Sequence, residues 1–171
     1  MPIPGLRRAV FAAAMLTLPA APATADEAEA LATFEVMTPD TAVSLAQATL
    51  AACRQEGYQI AVAVLDRFGQ PQVVIRDRFA GPHTVPTATA KAWTAVSFRG
   101  ETLELDTMIV DGTLDGAIRG IPGALFLGGG LPVMSAGSIV GGVGVSGAPE
   151  PSIDDECARA GIEAISELLE F

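Results

Sequence analysis

Apolar positions along this chain recur with two different periods, and each change of period marks an element. Thr38-Pro39-Asp40 reads as a helix start: a capping residue, proline at the first helical position, then an acid near the positive end of the helix dipole. Val43, Ala46, Leu50 and Cys53 follow at helical spacing, and Gly57 is placed to end the helix. Gln59 to Asp66 is almost continuously apolar and reads as a central strand. Arg67 to Gln70 is a turn, and Pro71 to Asp77 is the returning strand of an antiparallel hairpin. After the loop Arg78 to Thr84, a helix is predicted from about Val85 to Phe98, with Pro86 tolerated in its first turn. Glu101 to Gly123 predicts two short helical turns, broken at Gly112 and at Gly120-Ile121-Pro122-Gly123. Ala124 to Leu127 predicts a third strand. Ser152 with Asp155 resembles an acidic capping box, opening a last helix with Cys157, Gly161, Ala164, Ile165 and Leu168 toward the core.

Between them lies the glycine-rich run Gly128 to Gly147. It contains G-x-G-x-x-G at Gly142, Gly144 and Gly147, the spacing of dinucleotide-binding loops. That motif must open a helix inside a βαβ unit. Here Ala148-Pro149-Glu150-Pro151 intervenes, and the 24 residues after Gly147 hold one helix and no second strand. The run therefore reads as a hairpin turning at Ala136-Gly137. Its glycines imply that the final helix or a neighbouring subunit packs flat against the strand. Strands joined by tight turns are antiparallel. The expectation is an α+β domain: a five-stranded antiparallel sheet flanked by helices, in the order α-ββ-α-(short α)-βββ-α.

The first 25 residues stand outside that pattern. Arg7 and Arg8, the apolar stretch Ala9 to Leu18 and the small-x-small site Ala23-Thr24-Ala25 read as a signal peptide cleaved before Asp26. General secretion fits better than the twin-arginine route, and the destination is periplasmic or secreted, with no membrane anchor after cleavage. Residues 26–37 form an acidic, flexible lead, and 38–171 a single domain. Removing the leader leaves 8 basic residues against 20 acidic, a net charge of −12. That balance argues against nucleic acid, which needs clustered Lys and Arg.

Cys53 and Cys157 remain. In an oxidising compartment an even count suggests a disulfide; two buried free thiols are the other reading. Neither cysteine has a nearby second ligand, which argues against zinc.

Few residues carry candidate chemistry. His83 is the only histidine, in a Gly-Pro loop; it reads as a haem-iron or metal ligand or as a loop residue without a role. Arg76 and Arg78 flank Asp77 beside the same loop and supply positive potential or sit as surface charges. Lys91 is the only lysine, in an Ala-rich helix. It binds a propionate or carboxylate, or forms an internal ion pair with Asp66 or Asp77. Trp93 stacks on a planar ligand or fills the core. Gly128, Gly129 and Gly130 present N–H groups to an anion as a nest, or make a tight connection. Met37 lies in the lead, and Met108 and Met134 read as packing residues. With one histidine and no G-x-S-x-G, no hydrolase triad can be assembled. Asp154-Asp155-Glu156 is explained by the dipole at a helix N-terminus.

Four ordered segments, AVAVLDRFGQ, AKAWTAVSFRGET, GGGLPV and GGVGVSGAPEPSIDDECARAG, resemble the haem-degrading domain family, of the extracellular haem-binding, glycolate-operon and propanediol-utilisation type. The resemblance spans about Pro39 to Leu169. It implies a profilin-like or PAS-like domain, a homo-oligomer of up to eight subunits, and haem as ligand in some members, with iron-dependent haem breakdown in others. Lys91 matches the lysine of the family's KAxTA pattern. The resulting expectation is an exported protein binding haem or a related tetrapyrrole as carrier, scavenger or redox-sensor accessory. A haem-degrading or small-metabolite enzyme, and a ligand-free oligomeric interaction module, are the alternatives.

Overall fold

β1 (Ala61–Asp66) is nearly all apolar because both of its faces are covered. It pairs antiparallel with β2 (Pro71–Arg76) on one side and with β4 (Ser138–Ser146) on the other, and β3 (Gly130–Ser135) lies beyond β4. This computed structural model describes residues 31–170. The chain divides into two units, Met1–Thr33 and Phe34–Phe171, and the second carries every element described. The proposed signal peptide and the start of the lead fall outside the described residues.

The two faces of the sheet differ in side-chain size. Val62 and Val64 of β1, with Val143 and Val145 of β4, point toward α1 (Pro39–Gln55) and α4 (Pro151–Ala164), where Leu45, Leu50 and Ile60 complete an aliphatic core. Ala61 and Ala63 point the other way, toward Ala88 and Ala92 of α2 (Thr84–Phe98). On that face the neighbouring strand presents Gly142 and Gly144. A Cβ at Gly144 would stand 2.0 Å from the Ala88 carbonyl oxygen, and one at Gly130 would stand 2.4 Å from that of Lys91. The glycines thus let α2 lie directly on the backbone of β3 and β4. The expectation of flat packing holds, but the element is the second helix, not the last.

The Gly-rich run forms the β3–β4 hairpin. Ala136 (φ 45°) and Gly137 (φ 78°) are both left-handed, as a two-residue type I′ turn requires. The sheet has four strands, not five. Ala124 to Leu127 is not a strand, because side chains rather than a ladder take its backbone groups. Leu125 N–H donates to Thr94 Oγ1 (2.7 Å), and the Leu127 carbonyl accepts from Thr102 Oγ1 (2.7 Å). The two expected helical turns are α3 (Thr102–Val110) and a 3₁₀ turn at Gly116–Gly120.

Two details of the ends differ from the sequence pattern. α4 starts at Pro151 with Glu150 in the cap position, so Ser152 lies inside the first turn and does not cap it. Ala164 and Leu168 are exposed, and Leu169 packs against the core instead. Cys53 and Cys157 form a disulfide that ties α1 to α4 across 104 residues. The end of the lead is fixed to the sheet: Met37 is buried, its N–H donates to the Val140 carbonyl, and its carbonyl accepts from Gln72 Nε2. No helix among the described residues is long and apolar enough to cross a membrane.

Candidate functional site

The loop from Asp77 to Thr84 carries two of the predicted site residues, Arg78 and His83, and a third, Arg76, ends β2 beside it. Its base is fixed by Asp77, which is buried, accepts from Arg54 Nε (3.0 Å) and receives the Ile60 N–H. The Asp77 carbonyl accepts the Ala80 N–H, closing a turn, and Thr84 Oγ1 closes a second by donating to the Gly81 carbonyl (2.7 Å). Arg76 donates to the Ala80 carbonyl across the same turn. What remains outward is Arg78, Phe79 and His83. The Arg78 guanidinium lies 5.2 Å from the Phe79 ring centre, and that ring is 77 % exposed.

His83 occupies the cap position of α2, but its imidazole makes no capping bond; only its carbonyl is used, by Thr87. The ring lies close over Gly81, where an added Cβ would meet His83 Cε1 at 2.7 Å. The loop therefore presents an imidazole, an aromatic face and a guanidinium on a rigid base.

Lys91 and the three glycines belong to a different place. Lys91 is 1 % exposed, and its Nζ donates to Asp154 Oδ2 (2.8 Å) and the Val145 carbonyl (2.9 Å). It forms an internal ion pair, as one of the two sequence readings held, but its partner is Asp154 rather than Asp66 or Asp77. Asp66 instead closes the β1–β2 turn by accepting the Phe68 and Gln70 N–H groups. Burial pushes Lys91 down from the usual lysine value and Asp154 up from the usual carboxylate value; their mutual attraction offsets this only in part.

Two of the three glycine N–H groups are bound within the protein. Gly129 donates to Asp155 Oδ1 (3.3 Å) and Gly130 to Thr102 Oγ1 (2.8 Å). Asp155 in turn accepts from Arg159 (2.9 Å), and Arg159 holds Glu101 with two bonds, which keeps the Glu101 carboxyl below its ordinary range. The acids at the start of α4 thus anchor β3, α2 and α3 to one another, beyond any service to the helix dipole. One local signal for this was the i, i+4 spacing of Asp155 and Arg159; the Lys91–Asp154 pair spans 63 residues and left none.

Trp93 is half-buried, with its ring against Gly69 in the β1–β2 turn. Met134, expected to pack, is 45 % exposed. Among the described residues, no three His, Cys, Asp or Glu side chains converge to hold a metal ion.

A four-stranded antiparallel sheet with α1 and α4 on one face and α2 seated on glycines of the other defines a small α+β domain. This chain belongs to the HbpS-like family, described as "Haem degrading protein HbpS-like", which matches residues 37–163. Among solved structures it is similar to a double mutant of HbpS from Streptomyces reticuli, at 37% identity over 86% of this chain and 99% of that one, with a TM-score of 0.74. It is also similar to PduOC in its heme complex, at 28% identity over 76% and 95% of the two chains, with a TM-score of 0.70. The ORFY protein of Klebsiella pneumoniae, at 24% identity over 80% and 95% and a TM-score of 0.76, shares the fold. No match was found among curated proteins.

Proposed function

We propose that this protein is an exported haem-binding protein, acting as a carrier, scavenger or redox-sensor accessory, with the His83 loop as its ligand surface. Family membership and a relative whose structure is a heme complex support the ligand class. The observation that carries the site is the unused imidazole of His83 in a loop that also exposes Phe79 and Arg78. These three chemistries fit a tetrapyrrole. His83 offers a nitrogen to iron, Phe79 an apolar face, and Arg78 and Arg76 cations for the propionates. Haem, when bound, supplies an iron centre that can exchange electrons. The protein's part is to fix the imidazole over Gly81 and to hold the carboxylates in water.

The Cys53–Cys157 disulfide supports export, since disulfides persist outside the reducing cytosol. It agrees with the leader read in residues 1–25. Lys91 and Gly128 to Gly130 then serve the site indirectly, by fixing α2, which His83 precedes at the cap position. A homo-oligomer is part of the reading. The apolar Val110 and Ile121 lie exposed at α3 and the segment after it, as a subunit contact would need.

Titrating hemin into the purified protein tests the proposal. A saturable Soret shift that weakens at least about tenfold in His83→Ala is expected. A shift unchanged in that variant would remove His83 from the site, and no saturable shift would reject haem binding.

The family description favours a second reading, haem degradation. Bound haem that bleaches with reductant no faster than on an unrelated haem-binding protein would reject it.

A further inference from the structure

Four basic side chains pair with carboxylates: Arg54 with Asp77, Lys91 with Asp154, Arg119 with Asp106, and Arg159 with Glu101 and Asp155. The other four described basic residues are arginines that make no ion pair among the described residues. Two of them stand at the His83 loop, Arg76 at the end of β2 beside it and Arg78 within it. The other two, Arg67 and Arg99, line one cleft of about 440 Å³. This cleft lies between the β1–β2 turn, the C-terminal end of α2 and the β3–β4 turn. α2 has 15 residues, so the two arginine pairs stand at opposite ends of a helix about 22 Å long.

The cleft has the mixed character of a small-molecule site. Its volume is within the usual range for one. Phe68, Val96, Met134 and Ile139 supply an apolar wall, and Phe68 is 61 % exposed. No acidic side chain lines it, although the chain carries 20 acidic residues to 10 basic.

Arg67 is oriented before any ligand arrives. Its guanidinium stands 4.0 Å from the Phe34 ring centre and 5.8 Å from that of Phe68, and one N–H donates to the Glu35 carbonyl. Its remaining donors have no partner among the described residues. Arg99 holds the left-handed cap of α2 (φ 54°), a position that usually takes glycine; glycine follows only at position 100. The α2 C-terminus brings about half a negative charge to the cleft, against two full guanidinium charges.

We propose that this cleft binds an organic carboxylate with a flat apolar body. The carboxylate lies between Arg67 and Arg99, and the apolar body lies against Phe68, Val96 and Ile139. Guanidinium groups hold carboxylates by paired charge-assisted hydrogen bonds, which gives the preference for this anion over a spherical one. The site is independent of haem at His83.

Phthalate, an aromatic dicarboxylate, is a suitable probe, followed by the amide resonances of the full chain. Saturable shifts are expected at Phe68, Ser97, Arg99 and Gly137 to Ile139. The uncharged dimethyl ester should give none, and His83→Ala should leave phthalate binding unchanged. Arg67→Gln and Arg99→Gln should each weaken binding about tenfold, with the amide spectrum reporting that the fold persists. Three results would overturn the proposal: no saturable shift at these residues, equal shifts with sulfate, or binding unaltered in both variants. Hemin displacing phthalate in the His83→Ala protein would also overturn it, by making this cleft the haem site.

Discussion

Lys91 Nζ lies 2.8 Å from Asp154 Oδ2, with both side chains almost wholly removed from water. The pair joins α2 to the start of α4 beneath the glycine turn before β3. Removing one partner leaves the other as a buried, uncompensated charge. Lys91→Met should therefore destabilise the domain by about 3–5 kcal/mol. Adding Asp154→Asn, which keeps an acceptor for the Ala148 N–H, should recover most of the loss. Urea denaturation of Lys91→Met, Asp154→Asn and the double variant checks this; losses that simply add would show that the pair is not coupled.

Gly144 and Gly120 make a controlled comparison. A methyl group at Gly144 would collide with the Ala88 carbonyl at 2.0 Å, and backbone cannot move aside as a side chain does. Gly144→Ala should lower stability by about 3 kcal/mol or more. At Gly120 nothing lies within 4 Å and the backbone is not left-handed. Gly120→Ala should change stability by no more than about 0.5 kcal/mol. Thermal unfolding that ranks the two equally would contradict the direct seating of α2 on the sheet.

The disulfide closes a loop of about a hundred residues, for which chain entropy alone gives about 4.7 kcal/mol. Reduction, or Cys53→Ala with Cys157→Ala, should cost about 2–5 kcal/mol. Guanidinium denaturation with and without reductant measures it. An unchanged midpoint would mean that α1 and α4 hold together without the bond.

Glu101 gives a pH-dependent test. Arg159 lowers its folded pKa below 4.5, so the folded state binds fewer protons than the unfolded state near that value. Its contribution is fully present above the unfolded pKa and is lost as pH falls through the folded one. Both side chains are partly exposed, so water screens the pair and the contribution is about 0.5–1 kcal/mol. Glu101→Gln should be less stable than the parent at pH 7, and the difference should vanish once the pH is below the folded pKa. A difference that persists in acid would assign the effect to packing.

Much of the fold was legible because it is written locally. The β1–β2 hairpin, the Ala136-Gly137 turn, α2 and the failure of the nucleotide motif all follow from spacing within about twenty residues. The errors came from contacts between distant segments. Ala124 to Leu127 looked like a strand because it is apolar. Its backbone, however, is taken by Thr94 and Thr102, which no periodicity announces. Lys91 was singled out correctly, but its partner lay in an acidic triplet already explained by the helix dipole. Arg76, Arg78 and His83 could be grouped as a candidate site because they lie within eight positions of one another. Arg67 and Arg99 could not be grouped in this way, because they are 32 positions apart and line one cleft only once α2 lies on the sheet.

That seating has a kinetic consequence. With helix backbone resting on strand backbone, the slab between α2 and the sheet has no thickness to spare, so a ligand has nowhere to be swallowed. Any molecule taken at the His83 loop or at the Arg67–Arg99 end must ride on the rim with part of its surface in water. An occupant so placed could leave without the domain having to open, which is what the proposed carrier role would need.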